Sequence, residues 1–160
     1  MAAATPWCCC SRPRTPGRRR RARNFCLHDN EALARYLVAE FVAHFGAFKG
    51  QAGLGSLVYR PLDRVAASGD PASSYSETVT AGDLSVRLTW SGLGKPFCFA
   101  LPPDKSATGR HHMPSLFVGC RDATVAVNGR ALPGNPVPRE IAGYTITTAM
   151  LAFSETWIRA

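Results

Sequence analysis

The sequence predicts an α+β fold, in which one amphipathic helix packs on a curved, mainly antiparallel β-sheet of about six or seven strands. Apolar residues recur every three or four positions over residues 30–48, which is the period of a helix. After residue 55 the apolar period falls to two, which is the period of strands. Helical and strand segments do not alternate, so a parallel Rossmann-type sheet is disfavoured.

The predicted helix has a start signal, an apolar stripe and a stop signal. Asp29 or Asn30 can cap its first turn, and Glu31 suits the positive end of the helix dipole. Gly50 is a suitable C-cap. We expect the stripe to be a core face; it is formed by Leu33, Leu37, Phe41, Phe45 and Phe48.

The strand prediction depends on alternation and on turn residues. Predicted strands cover 56–62, 75–80, 84–90, 96–101, 115–120, 123–127 and one long segment, 143–157. Ala81-Gly82-Asp83 and Asn128-Gly129 are typical of hairpin turns, and a further turn is predicted at 91–95, which contains Gly92 and Gly94. The polar segment 63–74 is predicted to be a loop.

One predicted strand shows which of its faces is buried. Apolar residues at 84, 86, 88 and 90 alternate with Ser85, Arg87 and Thr89, as in a half-exposed antiparallel strand. The helix has no other apolar partner of similar length. We therefore expect the stripe to pack on the apolar side of this strand and Arg87 to face water.

The positive charge lies almost entirely at the N-terminus. The chain has a net charge of +8, and residues 1–28 carry seven arginines and no acid, which leaves 8 − 7 = +1 for residues 29–160. We interpret 1–28 as a disordered basic tail and 29–160 as a single α+β domain. Nucleic acid could bind only weakly, through tail residues Arg18, Arg19, Arg20 and Arg21. A transit peptide and an upstream translation start are alternative interpretations of the tail.

Composition gives further expectations about the cellular setting. The sixteen arginines against three lysines are typical of a GC-rich genome, so this excess does not by itself indicate phosphate binding. The sequence contains neither a long apolar segment nor a secretory signal pattern, and we predict a soluble cytoplasmic protein without a membrane span. Its six cysteines include no Cys-x-x-Cys pair, so we expect reduced thiols, no bound metal and no cofactor.

The loop 102–113 holds the strongest candidates for catalysis. His111 or His112 could act as a general base, and Asp104 could orient it. No phosphate loop, nucleophile elbow or HExxH metal motif occurs anywhere in the sequence. The whole case for an enzyme, a small hydrolase, therefore depends on this loop.

A ligand pocket is the competing interpretation. A helix that covers a curved sheet can leave a cavity, and we expect its lining to include Phe41, His44, Trp90 and Trp157. The leading hypothesis is a protein that binds an apolar small molecule or a protein partner without catalysis. The hydrolase and nucleic-acid binding through the tail are the alternatives. The oligomeric state is left open.

Overall fold

The computed structural model describes the backbone of residues 7–9 and 24–160, with side chains from Asn24 onward. Contacts divide the chain into two compact units, one ending at Leu62 and the other beginning at Asp63. The described residues form one α-helix and an open seven-stranded antiparallel sheet, which confirms the α+β class. None of the helices in residues 24–160 is long and apolar enough to span a bilayer.

The first unit is a small three-stranded sheet with one helix. Its strands have the order β1-β2-β3, and β2 is antiparallel to β1 and parallel to β3. Its elements are β1 (Trp7–Cys9), β2 (Phe25–His28), α1 (Glu31–Glu40), two 3₁₀ helices (Val42–His44 and Ala52–Ser56) and β3 (Val58–Pro61).

Strand β2 lies inside the segment that the sequence assigns to the tail. Cys26 is 0% exposed and Leu27 is 1% exposed, so these side chains are among the most buried of the protein. Four residues are too few to show a period, and the arginines before them dominate the composition. Residues 25–28 are therefore a strand in the structure, and the division into a tail of residues 1–28 and a domain of residues 29–160 stays a prediction.

Helix α1 begins where the sequence predicts and ends earlier. The Asn30 side chain accepts a hydrogen bond from the amide of Leu33, at 3.0 Å, and so caps the first turn. The helix ends at Glu40, and 3₁₀ turns replace the last part of the predicted helix. The helix contacts β2 and β3.

The packed side of α1 is shifted by one residue from the predicted stripe. Ala34, Val38 and Val42 are buried against Cys26, and Phe45 and Phe48 pack on this cluster. Leu33, Leu37 and Phe41 are only half-buried. Packing of the stripe on residues 84–90 would join the two units and stays a prediction.

His28 is a buried imidazole with unsatisfied nitrogens. Its side chain is 7% exposed, and in residues 24–160 neither ring nitrogen has a hydrogen-bond partner. The nearest acid, Glu31, places Oε2 4.0 Å from Nε2, beyond hydrogen-bonding distance.

Because the ring nitrogens of His28 are unsatisfied, we expect one substitution at this position to stabilise the protein. We expect His28→Phe to raise the free energy of unfolding by about 1 kcal/mol, because an apolar ring of similar shape removes the cost of desolvating two nitrogens. His28→Ala should lower it, because a cavity forms. Denaturant melts of both variants at one pH test the pair, and a destabilised His28→Phe would contradict the argument.

The second unit is the open sheet, with the order β11-β7-β6-β5-β4 and with β8 and β12 paired to β7. A separate hairpin, β9–β10, completes the unit. Its strands are β4 (Arg64–Asp70), β5 (Ser74–Ala81), β6 (Leu84–Leu101), β7 (His111–Val127), β8 (Arg130–Ala131), β9 (Pro138–Ile141), β10 (Tyr144–Thr147), β11 (Met150–Glu155) and β12 (Ile158–Arg159).

The two hairpin turns predicted in this unit are confirmed. Gly82, with φ +59°, lies between β5 and β6. Asn128 and Gly129 both have positive φ and join β7 to β8, as a type I′ turn requires. The Asn128 side chain also accepts a hydrogen bond from the Ser85 amide at 2.7 Å and donates one to the Asp83 carbonyl at 3.1 Å.

The predicted alternation along β6 is also found. Leu84 and Val86 are buried, whereas Arg87 is exposed. On the Arg87 side, the hydroxyls of Ser76 and Thr89 form a cross-strand hydrogen bond of 3.0 Å.

Three segments differ from prediction. Residues 64–70 are a strand instead of a loop, because cross-strand bonds to β5 outweigh a composition of Ala, Ser and Gly. Strand β6 continues for 18 residues through the predicted turn at 91–95, where a bulge takes up Gly94 and Lys95. The predicted long strand 143–157 is divided among β10, β11 and the residues that precede β12.

Candidate functional site

A cleft of about 590 Å³ lies in the second unit beside the bulge of β6. We call it the bulge cleft and define it by five of its lining residues, Lys95, Phe97, Cys120, Tyr144 and Ile146. Strands β6 and β7 supply the first three, and hairpin β9–β10 supplies the last two. A second cleft, of about 660 Å³, shares Lys95 and is also lined by Phe153.

Hairpin β9–β10 forms one wall of the bulge cleft, because the tight turn between its two strands brings Tyr144 into place. Ala142 and Gly143 have φ of +49° and +82°, the positive values of a two-residue type I′ loop. The Tyr144 ring then stacks on Phe97, with 4.3 Å between centroids.

A glycine on β7 makes room for the same hairpin. A Cβ atom on Gly119 would come within 3.3 Å of the Ile146 Cγ2 methyl, so a larger residue would require the Ile146 side chain to shift. Thr147 anchors the end of the hairpin, because its hydroxyl donates to the Cys120 carbonyl at 2.7 Å.

Phe97, which lines the cleft, belongs to a cluster of aromatic rings. Phe97 contacts Phe117 edge to face, with centroids 6.3 Å apart, and Phe99 contacts the same ring at 5.1 Å. Such contacts orient the rings, so the apolar surface offered by Phe97 is fixed in place.

Cys120 contributes a protonated thiol to the cleft. Burial raises the pKa of Cys120, the negative charge of Asp122 raises that pKa further, and the hydrogen bond with Thr147 opposes both effects. The thiol also donates to the Ala149 carbonyl, at 3.3 Å. The thiolate is the reactive form of cysteine, so this arrangement favours binding over covalent catalysis.

The histidine loop is built on a chain of hydroxyl groups. A 3₁₀ helix, Pro103–Lys105, leads to Ser106, whose hydroxyl donates to the Pro103 carbonyl at 3.0 Å. The Ser106 and Thr108 hydroxyl oxygens are 3.3 Å apart, and the Thr108 hydroxyl is 2.7 Å from Nδ1 of His111.

The linked hydroxyl groups of Ser106 and Thr108 determine which atom donates in each of these hydrogen bonds. A carbonyl oxygen can only accept a hydrogen bond, so the Ser106 hydroxyl donates its single proton to the Pro103 carbonyl. Its oxygen must then accept the hydrogen bond from the Thr108 hydroxyl. Thr108 has then used its own proton and must accept from His111. We therefore expect the proton of the neutral His111 ring on Nδ1, with Nε2 as an acceptor.

The tautomer of His111 is directly testable. Two-bond ¹H–¹⁵N correlation spectra should show Nδ1 protonated in the neutral ring, because Thr108 requires a donor there. Thr108→Val should turn this state into a mixture, whereas Thr108→Ser should keep it. A wild-type ring protonated mainly on Nε2 would show that the assigned bond directions are wrong.

The other residues predicted for catalysis do not join His111. His111 is buried at the start of β7, while His112 is exposed on the other face of the strand. Asp104 is exposed, and Thr108 orients the His111 ring in its place. Across residues 24–160, no group of three or more His, Cys, Asp or Glu side chains could hold a metal ion.

The residues predicted to bind a ligand are divided between the two units, and none of them lines the bulge cleft. Phe41 is half-buried and His44 exposed, both in the first unit. In the second unit, the Trp90 indole donates to the Met150 carbonyl at 3.1 Å. Trp157 donates to Glu155 at 3.0 Å and contacts the His111 ring edge to face. Arg18, Arg19, Arg20 and Arg21 lie outside the described residues.

The sequence does not bring the residues of the bulge cleft together. It predicts Lys95 in a turn, Phe97 and Cys120 on separate strands, and Tyr144 and Ile146 on one long strand. The available signal is Gly143, the first residue of that predicted strand, because glycine suits a turn better than a strand.

Comparison with known proteins adds no information about function. No protein-family model matches the chain, and neither the curated proteins nor the solved structures contain a match.

Proposed function

We propose that this protein binds, without catalysis, an apolar small molecule or an apolar side chain of a protein partner, and that the bulge cleft is the binding site. The single observation that carries the proposal is the stack of Tyr144 on Phe97 beside a cleft of about 590 Å³. Ligand sites are typically of roughly 300–1,000 Å³ and combine aromatic walls with a few polar groups.

The polar groups of the cleft suggest the shape of its ligand. Lys95 is exposed and supplies the one charge among the residues that define the cleft. Thr145 and Thr147 add hydroxyls to the lining. A flat aromatic group that carries an anionic substituent meets these features, since its ring can lie along Tyr144 and its charge near Lys95.

Removing one wall of the cleft should weaken binding. We expect Tyr144→Ala to raise the Kd for anilinonaphthalene sulfonate, an aromatic anion, about tenfold or more, because a stacking surface is lost. Fluorescence titration measures this. Tyr36→Ala is the matched control, since Tyr36 is 54% exposed and lies in the first unit. Equal affinity of wild type and Tyr144→Ala would refute the cleft as the binding site.

A second candidate function is supported by the tautomer of His111. An imidazole whose Nε2 accepts protons has the form that a general base needs. A screen of simple aryl esters with wild type, His111→Gln and His112→Gln tests it. Hydrolysis that is lost only in His111→Gln would support the hydrolase, and the absence of turnover would leave binding as the better proposal.

A further inference from the structure

The second half of β6 is an open sheet edge. Strand β5 reaches only to Ser74, which lies opposite Ser91, and the Leu93 amide still donates to the Ser73 carbonyl. Beyond that point, β7 is the only described strand that pairs with residues 94–101. Pro96, Cys98 and Ala100 are all exposed, and no other strand of the second unit covers this edge.

Prolines show which backbone groups face the open side. Pro96 has no N–H to give to β7, and neither has Pro114, which lies opposite Ala100. Neighbouring antiparallel pairs alternate between hydrogen-bonded and non-bonded, so both proline pairs are of the non-bonded kind. The Pro114 carbonyl accordingly accepts from the Thr156 amide, at 3.1 Å, on the other side of β7. By the same alternation, the N–H and C=O groups of Cys98 and Ala100 point away from β7.

We propose that this edge pairs with the same edge of a second copy of the chain, antiparallel and about a two-fold axis. The register places Cys98 of one copy opposite Ala100 of the other. Each of these residues donates and accepts one hydrogen bond, which gives four bonds across the axis. The proposal does not depend on a ligand in the bulge cleft.

Side-chain chemistry favours a second copy as the occupant. In this register Phe99 lies opposite its own counterpart, and Phe97 lies opposite Leu101 on the same face, so the two apolar rows meet. Lys95 is the only charged residue between Gly94 and Leu101. It falls opposite Pro103 of the second copy, next to the exposed and acidic Asp104.

The association should be weak and dependent on concentration. Stable interfaces bury about 1,600 Å² in total, which is more than a few paired residues provide. Pairing is also restricted to the part of the edge that follows Pro96, because a proline, a lysine and a bulge each disfavour the addition of a strand. Dimers should therefore appear as the protein concentration rises.

Sedimentation equilibrium of the full chain in reducing buffer tests the proposal. The wild-type mass should rise from 17.2 kDa towards twice that value as concentration increases. Ala100→Pro, which removes an outward N–H that β7 does not use, should stay monomeric. Ala100→Val keeps that N–H and should associate like wild type.

A second variant decides the matter if Ala100→Pro fails to fold. Cys98→Lys places a charge at the centre of the edge, on a side chain that is already exposed, and should also stay monomeric. A wild-type chain that remains at 17.2 kDa up to millimolar concentration overturns the proposal. Dimerisation that a folded Ala100→Pro or Cys98→Lys retains overturns it equally.

Discussion

Phe117→Ala should lower the free energy of unfolding by about 3–5 kcal/mol, the usual cost of removing a buried aromatic ring. Phe117 is 5% exposed on the central strand β7, and it meets Phe97 and Phe99 edge to face. The loss includes buried apolar area and two oriented ring contacts. Urea or guanidinium melts followed by circular dichroism measure the change.

Phe153→Ala is the matched control for this prediction. It is the same chemical change in the same sheet, but the Phe153 side chain is 52% exposed in the irregular part of β11. Its cost should stay below about 1 kcal/mol. Equal costs for the two variants would mean that the contacts of Phe117 with Phe97 and Phe99 do not stabilise the sheet.

Leu27→Ala should cost about 2–5 kcal/mol, although the sequence suggests a disordered tail at this position. Leu27 is 1% exposed on β2, between the two other strands of the first unit. Truncation leaves a cavity in a small sheet that has few neighbours able to close it. Chemical denaturation, monitored by fluorescence and circular dichroism, gives the difference in unfolding free energy.

Val58→Ala serves as the control on the neighbouring strand. Val58 is in register with Phe25 of β2, and its side chain is 51% exposed. We expect a cost of about 0.5 kcal/mol or less. If Leu27→Ala were equally mild, β2 would not be part of the folded core, and the predicted tail boundary at residue 28 would be supported.

Local signals predicted local structure well. The Asn30 cap, the Gly82 turn and the Asn128–Gly129 turn depend on the backbone preferences of single residues, and all three are found. The apolar alternation from Leu84 depends on period alone, and it gives the buried side of β6 correctly.

Features set by distant partners were not predictable in the same way. Strand β4 is rich in Ala, Ser and Gly, and only its register with β5 makes it a strand. The continuity of β6 through Gly94 depends on β7, which pairs with it on both sides of the bulge. The amino-acid composition of a segment does not indicate such pairings.

The candidate site shows the same limit. Phe97 and Tyr144 are far apart in sequence, and their stack depends on how hairpin β9–β10 folds back over β7. The bonds from Thr108 to His111 and from Ser106 to Thr108 lie within one loop, yet their directions become clear only with the carbonyl of Pro103 in place. Whether the site binds a ligand stays a prediction.

The order of strands in the second unit affects the order in which they should pair during folding. Strands β4, β5, β6 and β7 are neighbours in the sheet and successive in the chain, so each pairing closes only a short loop. Strand β11 is separated from β7 in the chain by the β9–β10 segment, so its pairing with β7 closes a longer loop. Local pairings form fastest, so the β4–β7 meander should gain protection from pulse-labelled hydrogen exchange before β11 does. During that interval β7 exposes a second unpaired edge, and the rate at which β11 arrives sets how long the chain is at risk of aggregation.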